Sequence, residues 1–351
     1  MGTVVNTSGL VQFFDERRER GEALALVTIF ETSGSTYSKA GTHMLIDAHG
    51  DFHGMLSGGC LEGDLALRAA AVIDSDTPQT VTYDLAQDDE LWGLGVGCDG
   101  VMRVFVQALT VANGYQPFQA IAAALQGDRP ACLAMVIESA HAEIRAGAAA
   151  IAAGDRAQGL GVPDETAARL VQDVARPVLE HIALDGSDMS VLATTIRPSP
   201  RLLVLGAGPD AEPVVRFAAE LGWRCTVADH RDAYIESGSF DAAERVLCVP
   251  APELAASVEL SRFDAAVVMS HHLASDRAYL GQLAATNLRY IGLLGPSARR
   301  DRLLSELGES GEALGGRLRG PAGIDIGGRG PAAIALSIVA EIQGVLQGRI
   351  S

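Results

Sequence analysis

The sequence predicts an α/β protein with two domains, in which an N-terminal α+β domain precedes a doubly wound parallel sheet. Its 351 residues exceed the usual size of one domain. In the second half, short apolar runs alternate with helical stretches, as strands and crossover helices do in a parallel sheet. The segment RPSPRL disfavours both helix and central strand, so it separates residues 1–197 from 198–351.

The N-terminal domain begins with a helix, predicted from Ser8 to Arg20 and ended by Gly21, and a strand over residues 23–32. Short β-like runs and a helix follow, up to about residue 110. A second subregion, about 115–197, contains one helix and weaker strand signals and is assigned to the same domain. The clearest later strand signals are HMLID, QTVTYDL, GVMRVFVQAL and ACLAMVIES.

The C-terminal domain is predicted from five apolar runs and one well-marked helix. Gly330 is placed to cap this last helix, and Pro331 suits its first position. The predicted strands are RLLVLGAG, RCTVADH, RVLCVP, DAAVVMS and RYIGLLG.

Composition excludes several classes of function. Acidic residues outnumber basic ones by 44 to 27, and a net charge of −17 disfavours binding to nucleic acid or to anionic membranes. Five cysteines without any Cys-x-x-Cys pair indicate reduced thiols and argue against a structural zinc site. Neither a membrane-spanning run nor a secretory signal is apparent, so we expect a cytoplasmic protein.

A glycine loop opens the C-terminal domain. Gly206 and Gly208 directly follow a strand, and Asp229 ends the next strand, 21 residues beyond Gly208. This spacing is typical of the dinucleotide-binding unit of a Rossmann fold, in which the acidic residue bonds the ribose hydroxyls. Asp210 and Glu212, however, place carboxylates where phosphates would lie. Two interpretations stay open: a Rossmann scaffold without nucleotide, or a nucleotide site, with NAD(P) disfavoured.

The stretch LSGGCLEGDL carries a cysteine among glycines. Ser57, Gly58 and Gly59 indicate a turn whose backbone amides could hold an anion, and Cys60 in such a turn would favour its thiolate. Glu62 follows two positions later. The alternative is that Cys60 packs as a small apolar side chain and that Glu62 only complements a helix dipole.

Further candidate ligand contacts occur in both domains. Cys98 lies in a second glycine-flanked segment, WGLGVGCDG, and could converge with Cys60 on one ligand. His271, His272 and Asp276 follow the fourth strand of the parallel sheet, at the edge where such sheets bind ligands. The alternative for Asp276 is a helix cap.

These motifs together resemble the XdhC/CoxI family, accessory proteins for the maturation of molybdenum hydroxylases such as xanthine dehydrogenase and carbon monoxide dehydrogenase. The resemblance covers nearly the whole chain and implies an N-terminal XdhC/CoxI-type α+β domain, a C-terminal Rossmann-like domain and a homodimer. The motifs, in order, are GSTYSKAGTHMLID, GMLSGGCLEGDL, DDELWGLGVGCDG, PRLLVLGAGPDAEPVVRFAAELGWRCTVADHR, VVMSHHLASD, YIGLLGPSARRDRLL and PAGIDIGGRGPAAIALSIVAEI.

The resemblance implies a chaperone that is not itself an enzyme. It would carry the molybdenum cofactor transiently, present it to a cysteine desulfurase for sulfuration, and insert it into a molybdenum hydroxylase apoenzyme. On this expectation Cys60, supported by Cys98, contacts molybdenum, because thiolates are soft ligands. The expected cofactor contacts are Ser57, Gly58, Gly59, Cys60, Glu62, Cys98, Tyr37, Lys39, His271, His272 and Asp276.

The chain departs from the family pattern at two segments of the expected site. Where the family usually carries an arginine, this chain has Ser38 followed by Lys39, and lysine cannot grip a phosphate at two points as arginine does. Asp99 replaces the glycine that usually follows the second cysteine. Two other functions stay open: an NAD(P)-dependent oxidoreductase that uses the Gly206 loop, and a structural adaptor between a desulfurase and a dehydrogenase.

Overall fold

The structure, a computed structural model, describes residues 7–85, 100–154 and 156–350. The chain divides into two compact units, an N-terminal unit (Met1–Pro198) and a C-terminal unit (Ser199–Ser351). Among the described residues, no helix is long and apolar enough to cross a membrane.

The N-terminal unit contains two antiparallel sheets of five strands each. Its strands are β1 (Leu24–Ser33), β2 (His43–Asp47), β3 (Phe52–His53), β4 (Gln79–Asp84), β5 (Val101–Leu109), β6 (Ala131–Ser139), β7 (Ala149–Ala152), β8 (Ala157–Leu160), β9 (Val178–Leu184) and β10 (Ser187–Ile196). The first sheet has the order β3-β2-β1-β5-β4 and the second β8-β7-β6-β10-β9. Its described helices are α1 (Thr7–Glu19), α2 (Glu62–Ser75), α3 (Phe118–Gln126) and α4 (Asp164–Leu170).

Strand β1 separates two apolar cores, because alternate residues of a strand face opposite sides. Ala25 and Val27 pack in one core with Leu65 of α2. Leu26 belongs to the other core, together with Phe14 of α1 and residues of the second sheet. Helix α2, and with it the glycine stretch that precedes it, therefore lies on the first of these two faces.

The C-terminal unit is a six-stranded parallel sheet with helices between its strands. Its strands are β11 (Arg201–Leu205), β12 (Arg224–Asp229), β13 (Arg245–Cys248), β14 (Ala265–Val268), β15 (Tyr290–Leu293) and β16 (Leu318–Arg319). Its α-helices are α5 (Ala211–Glu220), α6 (Asp232–Ser237), α7 (Leu254–Ser257), α8 (Leu273–Leu283), α9 (Ser297–Leu307), α10 (Glu309–Leu314) and α11 (Pro331–Leu346).

The strand order of this sheet is β13-β12-β11-β14-β15-β16, the order of a dinucleotide-binding fold. The predicted doubly wound parallel sheet is thus confirmed, and each of the five predicted runs contains a strand. The order reverses between β11 and β14, and the loops after these strands begin at their carboxyl ends. Ligands bind open α/β sheets at this edge.

Two helices of the C-terminal unit have a proline in their first turn, and a buried carboxylate holds one of them in place. Pro213 is the third residue of α5, where a helical N–H has no partner within the helix. Helix α11 begins at Pro331, as predicted. Within α11, Glu341 is buried and accepts hydrogen bonds from Tyr290 Oη at 2.7 Å and from Gly323 N at 2.8 Å. These contacts tie the last helix to β15.

Candidate functional site

The Glu62 carboxylate lies at the centre of the glycine stretch. Its Oε1 accepts hydrogen bonds from the backbone amides of Leu56 at 3.1 Å and Ser57 at 3.0 Å. Its Oε2 accepts from the amides of Gly59 at 3.0 Å and Leu61 at 3.1 Å, and from Ser57 Oγ at 2.6 Å. Two of the three amides predicted to hold an anion, those of Ser57 and Gly59, thus bond a carboxylate of the same chain. We call residues 56–62 the glycine loop.

Two glycines allow the chain to wrap around this carboxylate. Gly58 and Gly59 have φ of +82° and +111°, values that side-chain-bearing residues rarely adopt. Glu62 is also the first residue of α2, where the helix dipole favours a negative charge. Burial alone would raise the pKa of Glu62, but the hydrogen bonds from Ser57 and the backbone hold it below its ordinary value. The residue is therefore ionised at neutral pH.

Cys60 lies between the amides that Glu62 holds. Its side chain is half-buried and packs against the apolar core that includes Leu56 and Leu61. In the part of the chain that the structure describes, the backbone N–H groups of Cys60 and Gly58 have no hydrogen-bond partner. The loop thus presents one partly exposed thiol and two amide donors that no described residue uses.

Tyr37 lies against the outer side of the loop. A side chain at Gly58 would meet the Tyr37 ring at 3.6 Å, and 55% of Tyr37 is exposed. Ser38 is fully buried and donates from Oγ to the backbone oxygen of Met55 at 3.0 Å. Ser38 therefore anchors the Tyr37 segment to the residue just before the loop.

Lys39 is exposed, and its Nζ donates to Thr36 Oγ1 at 3.1 Å. Gly100, the first residue described after residue 85, packs so closely on Ser35 and Thr36 that a side chain there would overlap both. Cys98 lies outside the described residues. The structure brings Tyr37 beside Gly58, in the loop that carries Cys60, whereas the role of Cys98 stays a prediction.

In the C-terminal unit, Asp229 is fully buried, and both of its carboxylate oxygens accept hydrogen bonds from neighbouring residues. Its Oδ2 accepts from Ala207 N and from a terminal guanidinium nitrogen of Arg231, both at 2.7 Å. Its Oδ1 accepts from Arg231 N and Nε, each at 3.0 Å. Burial alone would raise the pKa of Asp229, but the bonds from Arg231 and Ala207 N lower it. The carboxylate that would hold a ribose, if this were a nucleotide site, ties the ends of β11 and β12 together.

The loop after β11 carries negative charge at the start of α5. Asp210 Oδ2 lies 3.1 Å from Nε2 of His271, and Glu212 accepts from Ser239 N at 3.1 Å. A phosphate at this helix end would meet two carboxylates. The negative charge of Asp210 and Glu212 and the hydrogen bonds that Asp229 already accepts together favour the interpretation of this fold as a scaffold without nucleotide.

The residues after β14 are held by contacts within the unit. His272 caps α8 through Nδ1, which accepts from Ser275 N at 3.3 Å. Asp276 is fully buried and accepts from Ser270 Oγ at 2.5 Å and from a terminal guanidinium nitrogen of Arg299 at 2.6 Å. His272 is exposed and His271 is exposed beside Asp210, so both stay candidates for ligand contact.

Sequence reasoning missed Arg231 and His230 at this edge. The ring of His230 lies 5.9 Å from that of His272, and its Nδ1 lies 3.3 Å from Asp229 Oδ1. The only signal in the sequence was position, because both residues directly follow the carboxyl end of a strand. Within the described ranges, no group of three or more potential ligands could hold a metal ion, and four cysteines are free.

Comparisons with known proteins cover both units. A model of the XdhC and CoxI family matches residues 17–84, and one of the XdhC Rossmann domain matches residues 202–342. A Bacillus subtilis protein, named as a probable subunit of xanthine dehydrogenase, is 33% identical over 93% of this chain and 94% of its own length. The Escherichia coli molybdenum cofactor insertion chaperone PaoD is 24% identical over 96% of this chain and 87% of its own length.

A crystal structure described as a xanthine dehydrogenase from Bacillus halodurans has the same fold. It superposes with a TM-score of 0.75 at 26% identity, covering 97% of this chain and 96% of that one. The similarity therefore extends across both units.

Proposed function

Because the chain belongs to the XdhC and CoxI family, we propose that it binds the molybdenum cofactor and inserts it into a molybdenum hydroxylase apoenzyme. The name of the Escherichia coli relative, a molybdenum cofactor insertion chaperone, supports this role. The proposed client is an enzyme of the xanthine dehydrogenase or carbon monoxide dehydrogenase type. Sulfuration by a cysteine desulfurase, a homodimeric state and a cytoplasmic location belong to the same proposal.

The observation that carries the proposal is the chemistry presented beside Cys60. The cofactor combines an oxidation-sensitive metal with a pterin and a phosphate, so its carrier needs soft and hydrogen-bonding groups that bind reversibly. The half-buried Cys60 thiol offers a soft ligand, and the amides of Gly58 and Cys60 offer donors for oxygen atoms. The exposed Tyr37 ring offers a flat surface at the same place. His271 and His272 stay a second set of proposed contacts.

The alternative, an NAD(P)-dependent oxidoreductase, has less support. Its ribose ligand would be Asp229, whose two oxygens already accept four hydrogen bonds from Ala207 and Arg231. A ribose hydroxyl would have to replace Arg231, at the cost of a buried charge left without its partner. Saturable NAD(P) binding to the purified protein would restore this alternative.

Expression of a molybdenum hydroxylase with and without this chain tests the proposed function. We expect the hydroxylase made without it to lose at least about 90% of its activity and to contain correspondingly less molybdenum and sulfurated cofactor. The amount of hydroxylase polypeptide should stay the same, because the proposed role concerns the cofactor and not the folding of the client. Equal activity and equal cofactor content in both preparations would refute the proposal.

A further inference from the structure

We infer that Glu62 is a positioning residue, which holds the glycine loop so that Cys60 and the Gly58 amide face the cofactor, and that it does not contact the cofactor itself. The inference rests on the proposed function. It changes the role of one residue, because the sequence predicts that Glu62 contacts the cofactor.

The contacts of Glu62 leave it no capacity for a ligand. A carboxylate has about four lone-pair sites, and Glu62 accepts five hydrogen bonds from its own loop. Only 3% of the residue is exposed. A pterin nitrogen could reach its oxygens only by displacing donors from Leu56, Ser57, Gly59 or Leu61. Each displaced backbone N–H would then lack its partner, which is unfavourable for buried groups.

The amides that Glu62 does not use alternate with those that it holds. Gly59 and Leu61 donate to Oε2, while the intervening Cys60 amide and the preceding Gly58 amide have no partner among the described residues. Gly58, whose amide is one of the two without a partner, is exposed, whereas Glu62 is buried. The loop therefore has one set of donors held by Glu62 and a second set with no partner in the described part of the chain.

Ser57 reinforces this arrangement. Its Oγ donates to Glu62 Oε2 at 2.6 Å and accepts from Leu61 N at 2.8 Å. One hydroxyl thus links Ser57, before Cys60, to the two residues that follow Cys60. Removal of the Glu62 charge should thus loosen the segment that carries Cys60. Its thiol would then leave the apolar core against which it packs.

Glu62→Gln tests the inference, because it keeps the size of the side chain but turns one acceptor into an N–H donor facing other donors. In cofactor-free protein, we expect iodoacetamide to alkylate Cys60 at least threefold faster than in the wild type, measured by mass spectrometry of the peptide. In protein purified anaerobically from cofactor-producing cells, we expect at least fivefold less bound molybdopterin. Asp64→Asn is the matched control, since Asp64 lies in the same turn but bonds Arg68 and Tyr83.

The outcomes separate the inference from the proposed function. Unchanged alkylation with reduced molybdopterin would overturn the inference and make Glu62 a direct contact. Faster alkylation of the variant would support the role of Glu62 in positioning the loop. If the wild type then carried no molybdopterin, the proposed function would be refuted while this role would stand. If Glu62→Gln does not fold, Ser57→Ala removes one donor to Glu62 and should still accelerate alkylation, about twofold. Unchanged alkylation in Ser57→Ala would also overturn the inference.

Discussion

Replacing Gly206 with alanine is expected to lower the free energy of unfolding of the C-terminal unit by about 3 to 5 kcal/mol. The added methyl group would lie 2.6 Å from the backbone carbon and oxygen of Met269 and 2.7 Å from Cα of Ser270. These atoms are backbone and cannot rotate away. Gly206 also has a φ of +125°, which strains any residue with a side chain.

Gly208→Ala provides the control for this substitution. An added methyl group at Gly208 would meet no atom within 4 Å, so we expect a change within about 0.5 kcal/mol. Urea unfolding can be followed by the fluorescence of Trp223, which is buried in the same core as Ala207, in a Trp92→Phe background. Equal unfolding midpoints for the two variants would contradict the close approach of the loops after β11 and β14.

Acid is expected to destabilise the N-terminal unit through His43. Burial lowers the pKa of this histidine from 6.5 to about 4. As the pH falls from 6.5 to 4, the unfolded chain binds a proton at His43 that the folded chain does not. The free energy of unfolding therefore decreases over this range, by about 3 kcal/mol in total. Above about pH 7.5 the contribution is complete and constant.

His43→Gln isolates this effect, because glutamine does not titrate. We expect the difference in free energy of unfolding between wild type and variant to be constant above pH 7.5 and to shift by about 3 kcal/mol in favour of the variant by pH 4. Urea titrations at five or six pH values would measure it. Parallel curves for the two proteins from pH 8 to 4 would show that His43 is not a buried neutral group.

The sequence predicted the parts of the fold that depend on local pattern. The apolar runs of the parallel sheet, the turn at Gly206 and the start of α11 at Pro331 follow from periodicity and from the backbone geometry of glycine and proline. The second sheet of the N-terminal unit was only weakly indicated. Strands such as β7, with the sequence AAIA, carry little alternation or β-branched character.

The contacts of the candidate site could not be predicted in this way. Spacing placed Glu62 beside Cys60, but whether its carboxylate faces a ligand or its own loop depends on the path of the chain between them. Asp229 likewise matched a nucleotide site by spacing. The position of Arg231 after a strand indicated the sheet edge, but that it bonds Asp229 follows only from the hydrogen-bond geometry. Residue type and spacing thus located both loops but did not define the role of each side chain.

The central claim is that Cys60 and its loop hold the molybdenum cofactor, and cofactor retention tests it most directly. Wild type and Cys60→Ala would be purified anaerobically from cells that make the cofactor, and molybdopterin and molybdenum per chain measured in each. Cys132→Ala, at another half-buried cysteine of the N-terminal unit, is the control. We predict that Cys60→Ala retains at most about a tenth of the wild-type cofactor and that Cys132→Ala retains all of it. Full retention by Cys60→Ala would contradict the claim.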